Sequence, residues 1–234
     1  MSDPDGDHSE LVKHGVGPVT ELREVLFPKR GLSATELLLA INLTVAAALF
    51  LAWGRDYGAN LRHWSDGWWS AVRAHQAYGW WLPTIVLHAG LRHLSRNMIA
   101  LLVASGAVEF LAGGRWALAA YLVTGLGAAC VSYIGHGAPP LSVGASGAIL
   151  GLLGCTVSFI IRRRRMFNYA QAWKVWRVYI PLFALLLLPV LVNADVHAHA
   201  GGFACGLILG LWLPPHARVH KLATVDSLRD EDVE

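Results

Sequence analysis

Charge is what this chain has least of. Asp, Glu, Lys and Arg together make up 15% of the 234 residues, against about 25% in a soluble globular domain. That shortfall excludes an ordinary solvated surface over most of the length. The net charge of +3 is too small to mark a nucleic-acid-binding face. Cysteine is also sparse: Cys130, Cys155 and Cys205 all lie in apolar stretches, and no pair reads as a disulfide framework. The opening MSDPDGDHSELVKHG is acidic and polar. It lacks the basic start and early apolar run of a secretory signal, and it lacks the Arg-rich, acid-poor make-up of a transit peptide. Neither an internal repeat nor a second domain is visible.

What is present is apolar sequence: 55% of residues are hydrophobic, with mean hydropathy +0.44. A bilayer core of about 30 Å needs roughly 20 apolar residues per helix. Spans are expected at about 35–53, 84–111, 116–134, 144–161, 178–192 and 195–213. The fifth is broken by Pro181 and Pro189 and covers only about 23 Å at 1.5 Å per residue. Between the first two spans, residues 54–82 carry Trp64, Trp68, Trp69, Trp80 and Trp81. Indole rings favour the headgroup layer, so the segment reads as a partly helical interfacial loop and not as a ligand site.

The fold expected is all-α: a polytopic membrane protein with a six-helix bundle over 34–214. A polar tail, 1–33, and a charged tail, 215–234, flank it. Arg115, the run Arg162–Arg165, Lys174 and Arg177 fall on the same side as the basic residues of both tails. The 3–4 and 5–6 loops carry neither Lys nor Arg. This bias puts both termini in the cytoplasm, with a bacterial inner membrane as the expected location.

Polar residues inside spans are expensive and mark function. Span 2 holds His88, His93 and Asn97, span 4 opens with GASG around Ser146, and span 6 holds His197 and His199. Asn97 lies 16 residues before Gly113, Ser146 lies 16 before Arg162, and His199 lies 15 before Pro214. Each is therefore about 22–24 Å above the cytoplasmic boundary, and the three share a level. Gly147-x-x-x-Gly151 in span 4 and Gly202-x-x-x-Gly206-x-x-x-Gly210 in span 6 let two helix backbones approach. The glycine face of span 6 is also the His199 face, whereas His197 points about 200° away. A serine needs a base to become a nucleophile, and a near-neutral histidine suits. His93 and Asn97, at i and i+4, share a face and can both donate to a developing oxyanion. Taken alone, that pair reads equally as an interhelical hydrogen bond. His88/His93 and His197/His199 do not have the i, i+4 spacing of helical metal ligands, so no metal and no cofactor are expected.

The pattern HAGLRHLSRNM (88–98), GAVEFLAGG (106–114), GASGAILG (144–151) and AHAGGFACG (198–206) resembles the rhomboid intramembrane proteases over roughly residues 35–213. The resemblance implies a Ser146–His199 dyad without an acidic third member. It implies oxyanion stabilisation by His93 and Asn97, with the backbone at Ser146 and Gly144, and it matches His88 to a histidine at the outer end of the second span. It further implies substrates that are single-span membrane proteins cut in or near their spans, with span 5 and the loop before span 6 as the gate. The family's first-loop Trp-Arg is matched only by Trp80-Trp81, and Leu150 stands where an aromatic residue often sits. An inactive rhomboid-like chaperone or trafficking factor is the alternative, but such relatives typically lack the serine or the histidine. A histidine-relay transporter is disfavoured because no inverted repeat is visible. Oligomeric state is not legible.

Overall fold

The computed structural model describes residues 33–61, 63, 83–136, 144–166, 195–216 and the isolated positions 177, 181, 184 and 219. Among the described residues the secondary structure is all helical. The helices are α1 (Ala34–Trp53), α2 (Leu91–Ala112), α3 (Gly114–His136), α4 (Ser146–Arg162) and α5 (Val196–Gly210), with single 3₁₀ turns at Gly54–Asp56 and Arg164–Met166. The Trp-rich stretch 64–82, the Pro139-Pro140 loop and nearly all of the expected fifth span lie outside the described residues.

Three helical stretches, Ala34–Leu61, Leu91–Ala112 and Gly114–Gly135, are long and apolar enough to cross a membrane. The chain is thus a multi-pass helical membrane protein. At 17 and 15 residues, α4 and α5 are shorter, about 26 and 22 Å. The burial pattern accounts for this: α4 is buried on every side from Gly147 to Thr156 and again from Ser158 to Ile160. A helix surrounded by protein is apolar all round and need not match the bilayer thickness.

α1 is the outer layer. Its N-terminus is held by a capping box, in which Ser33 Oγ accepts from Glu36 N–H at 3.0 Å and Ser33 N–H donates to Glu36 Oε2 at 2.8 Å. The Glu109 carboxylate, from the last turn of α2, accepts from Ala34 N–H (3.1 Å), Thr35 N–H (2.9 Å) and Thr35 Oγ1 (2.7 Å). One carboxylate thereby satisfies two orphan amides of α1 and complements its dipole.

The second expected span is not one helix. Residues 83–85 form a 3₁₀ turn, 87–88 have no regular secondary structure, and α2 begins only at Leu91. Gly90, with φ +138°, ends the preceding segment in a conformation that other residues rarely adopt. Tyr121 Oη of α3 donates to Ile85 O at 2.7 Å and pins this segment to the bundle. His88 is consequently not on the helix of His93, and helical spacing does not describe the pair. The start of the first loop is helical. Helix resumes at 57–61, with Tyr57 and Leu61 buried.

Candidate active site

The contact between α4 and α5 is made by glycine on both sides. A side chain on Gly202 would overlap the Gly147 carbonyl, one on Gly206 the Gly151 carbonyl, and one on Gly210 the backbone of Cys155. Gly154 meets the backbone of Phe203 and Leu207 in the same way. The two helices therefore touch backbone to backbone, and their register is fixed. Gly147 follows Ser146, and Gly202 is one turn after His199. The register that seats Gly202 on Gly147 carries His199 onto the first residue of α4, and Ser146 Oγ lies 2.7 Å from His199 Nε2.

Two side chains of α2 close the site from the other side. Gly144 enters α4 with φ +131°. A Cβ there would lie 2.7 Å from His93 Cε1, 3.0 Å from His93 Nε2 and 3.3 Å from Asn97 Nδ2. His93 and Asn97 thus pack on the backbone two residues before the serine, which only glycine permits. Asn97 is 1% exposed, and its Nδ2 donates to no acceptor among the described residues. The Gly144 N–H, by contrast, donates to Thr84 O at 2.9 Å. In this conformation Gly144 contributes clearance and not a free amide.

His88 is fully buried behind this layer. Its Nδ1 lies 3.1 Å from Val86 O, so Nδ1 carries the proton and Nε2 is left as acceptor. Its ring meets that of His93 edge to face, with centroids 5.4 Å apart. His197 is exposed, with its ring over Gly135 of α3, away from Ser146. Among the described residues no three metal-ligating side chains cluster.

Asp195 is a residue whose role sequence reasoning missed. It is the N-cap of α5: Oδ1 accepts from Ala198 N–H at 2.9 Å, and Oδ2 accepts from Ser132 Oγ of α3. The His199 N–H bonds to the Asp195 carbonyl at 3.1 Å. The start of α5, and with it the base, is anchored to α3. An Asp immediately before an apolar helical run is a legible N-cap signal, but its link to Ser132, 63 residues away, is not.

These features define a helical membrane protein with a serine–histidine pair beside two amide- or imidazole-bearing side chains. A family profile for the Rhomboid domain matches residues 74–216, and the chain belongs to the rhomboid family. It is 33% identical over 138 residues to RHOMBOID-like protein 1 of Arabidopsis thaliana, covering 58% of this chain and 35% of that one. It is 34% identical over 129 residues to Rhomboid protease GluP of Bacillus subtilis, covering 54% of this chain and 25% of that one. It is 28% identical over 134 residues to Putative rhomboid protease YdcA of the same bacterium, covering 56% and 65%. The matched part thus spans about a third of the Arabidopsis relative and a quarter of GluP. No solved structure matches the chain.

Proposed function

We propose that the chain is a serine endopeptidase that cleaves single-span membrane proteins in or near their membrane segments. The observation that carries this reading is the 2.7 Å approach of Ser146 Oγ to His199 Nε2 inside a bilayer-spanning bundle. Ser146 Oγ attacks the scissile carbonyl carbon while its proton passes to His199 Nε2. The carbonyl oxygen becomes an oxyanion, stabilised by Asn97 Nδ2–H, by a ring N–H of His93 and by the N–H of Ser146 at the helix start. Collapse breaks the C–N bond, and the imidazolium returns its proton to the leaving amine. Water, deprotonated by His199, then attacks the acyl-enzyme and releases the second product and the free serine. His88 supports this layer by packing behind His93. No cofactor or metal enters any step.

The expected domain division accompanies this reading: a membrane domain at 34–214 between cytoplasmic tails 1–33 and 215–234, set in a bacterial inner membrane. Substrate would reach Ser146 laterally, past span 5. The test is incubation of purified protein in liposomes with a panel of single-span substrates. Cleavage by wild type and none by Ser146→Ala supports the reading, and equal cleavage by both would remove it.

A further inference from the structure

One pair of residues on α2 is left unused by the chemistry above. Arg92 and Arg96 are one helical turn apart and both are exposed, so their side chains rise from neighbouring points on one face. The same face carries Ile99, 59% exposed. Ser95, between the two arginines, turns its hydroxyl back to Leu91 O. Glu109 and Glu36 are committed at the N-terminus of α1, and Asp195 to Ser132 and the start of α5; Asp56 is exposed in the 3₁₀ turn that follows α1.

Depth shows what these guanidiniums meet. Arg96 lies 17 residues and Arg92 lies 21 residues before Gly113, about 25 and 31 Å along the helix. The hydrocarbon core is about 30 Å thick. The pair straddles the far boundary of the core, with Ile99 below it among acyl chains and Arg92 above it at headgroup level. Two cations on adjacent turns repel unless an anion bridges them. A phosphate oxygen pair matches the guanidinium fork. A substrate carboxylate would be present only during turnover, whereas a lipid phosphate is present at this depth throughout.

We infer that Arg92 and Arg96 bind the phosphodiester of one anionic phospholipid in the leaflet at the Ser146 end of α2, with its acyl chain along Ile99. An anionic headgroup is selected because it brings no ammonium to compete with the arginines. Because Arg92 and Arg96 alternate along α2 with His93 and Asn97, the bound lipid borders the site.

The inference is independent of the proposed chemistry and is tested on Ser146→Ala protein, which needs no turnover. The protein is reconstituted in phosphatidylcholine vesicles, and spin-labelled phosphatidylglycerol is compared with spin-labelled phosphatidylcholine for the motionally restricted fraction. The starting protein should prefer phosphatidylglycerol. Arg92→Gln with Arg96→Gln should reduce that preference by about fivefold per arginine, the equivalent of about 1 kcal/mol for each basic residue at a membrane surface. Arg92→Lys with Arg96→Lys should keep part of it, and unchanged helical circular dichroism shows that the variants are folded. Arg162→Gln with Arg164→Gln, at the opposite face, should leave the component lost with Arg92 and Arg96 intact. Full preference in the Arg92/Arg96 double variant, or loss only in the Arg162/Arg164 variant, overturns the assignment. So does unchanged lipid preference in the double variant combined with slower cleavage, in the Ser146 enzyme, of only those substrates that bear an acidic residue near the cut. That last outcome would give the pair to a protein carboxylate.

Discussion

The α4–α5 seam and α1 are both apolar helical structure, yet they are held in opposite ways. In the seam, Gly202 and Gly206 sit directly on the carbonyls of Gly147 and Gly151, with no side chain between them. α1 leaves Ile41, Leu43, Phe50 and Leu51 exposed along its length and is fastened by side chains: Glu109 and the Ser33–Glu36 box at its start, and Asn42, which donates to Tyr121 Oη at 3.3 Å, at its middle. A seam of backbone contacts has one register. A helix held by side-chain bonds, with a broad exposed apolar face, can change the residues of that face with little consequence. Positions that must hold to a few tenths of an ångström, Ser146 and His199, lie on the seam, and none of the proposed catalytic side chains lies on α1.

The sharpest way to break this comparison is to put a side chain into the seam. Gly206→Val has nowhere to place its Cβ except in the Gly151 carbonyl. Overpacking of this kind costs about 3 kcal/mol. A collapse of the thermal unfolding temperature in detergent, with loss of activity, is expected; a normal melt would mean that the helices are farther apart than described.

Within α5 the comparison narrows to two histidines. His199→Ala should inactivate, whereas His197→Ala, whose ring lies exposed over Gly135, should keep most of the activity. A protonated imidazole cannot accept the serine proton, so the rate should fall as pH drops through the His199 titration, and the His197 variant should keep that limb. The reverse pattern of activities would place α5 in the wrong register.

Asn97→Ala tests the α2 side of the site. Losing one oxyanion donor costs about 10²–10³ in kcat, with KM little changed, because the oxyanion exists only past the ground state. An effect confined to KM would make Asn97 a structural side chain.

At the weak end stands α1. Glu109→Gln removes a charged acceptor from two amides and a hydroxyl, and a loss of about 1–2 kcal/mol in stability is expected while the rate constant per folded molecule is retained. Leu43→Ala, on a side chain 48% exposed, should change stability by about 0.5 kcal/mol or less. A large catalytic effect from either would show that α1 shapes the site.

Much of this was legible in the order of residues. The common depth of Asn97, Ser146 and His199 follows from counting along helices, and the glycine spacing in 147–151 and 202–210 forecasts close approach. What was not legible is where hydropathy is blind. Gly90 breaks the second span without a change in apolar character, so His88 was drawn onto α2 when it lies before it. The pairing of Gly144 N–H with Thr84 O and of Asp195 with Ser132 joins residues about 60 positions apart. Nothing local announces such pairs. The burial of Tyr57 and Leu61 within the start of the first loop has no local signal in composition either.

Activation of Ser146 as a nucleophile by His199 can be read by covalent labelling without a known substrate. Purified protein in detergent is treated with a fluorophosphonate probe, and the modified residue is located by mass spectrometry. A single adduct on Ser146 is expected in wild type, none in Ser146→Ala, and labelling slowed by orders of magnitude in His199→Ala with His197→Ala near wild type. Equal labelling of wild type and His199→Ala, or an adduct on another serine, would contradict it.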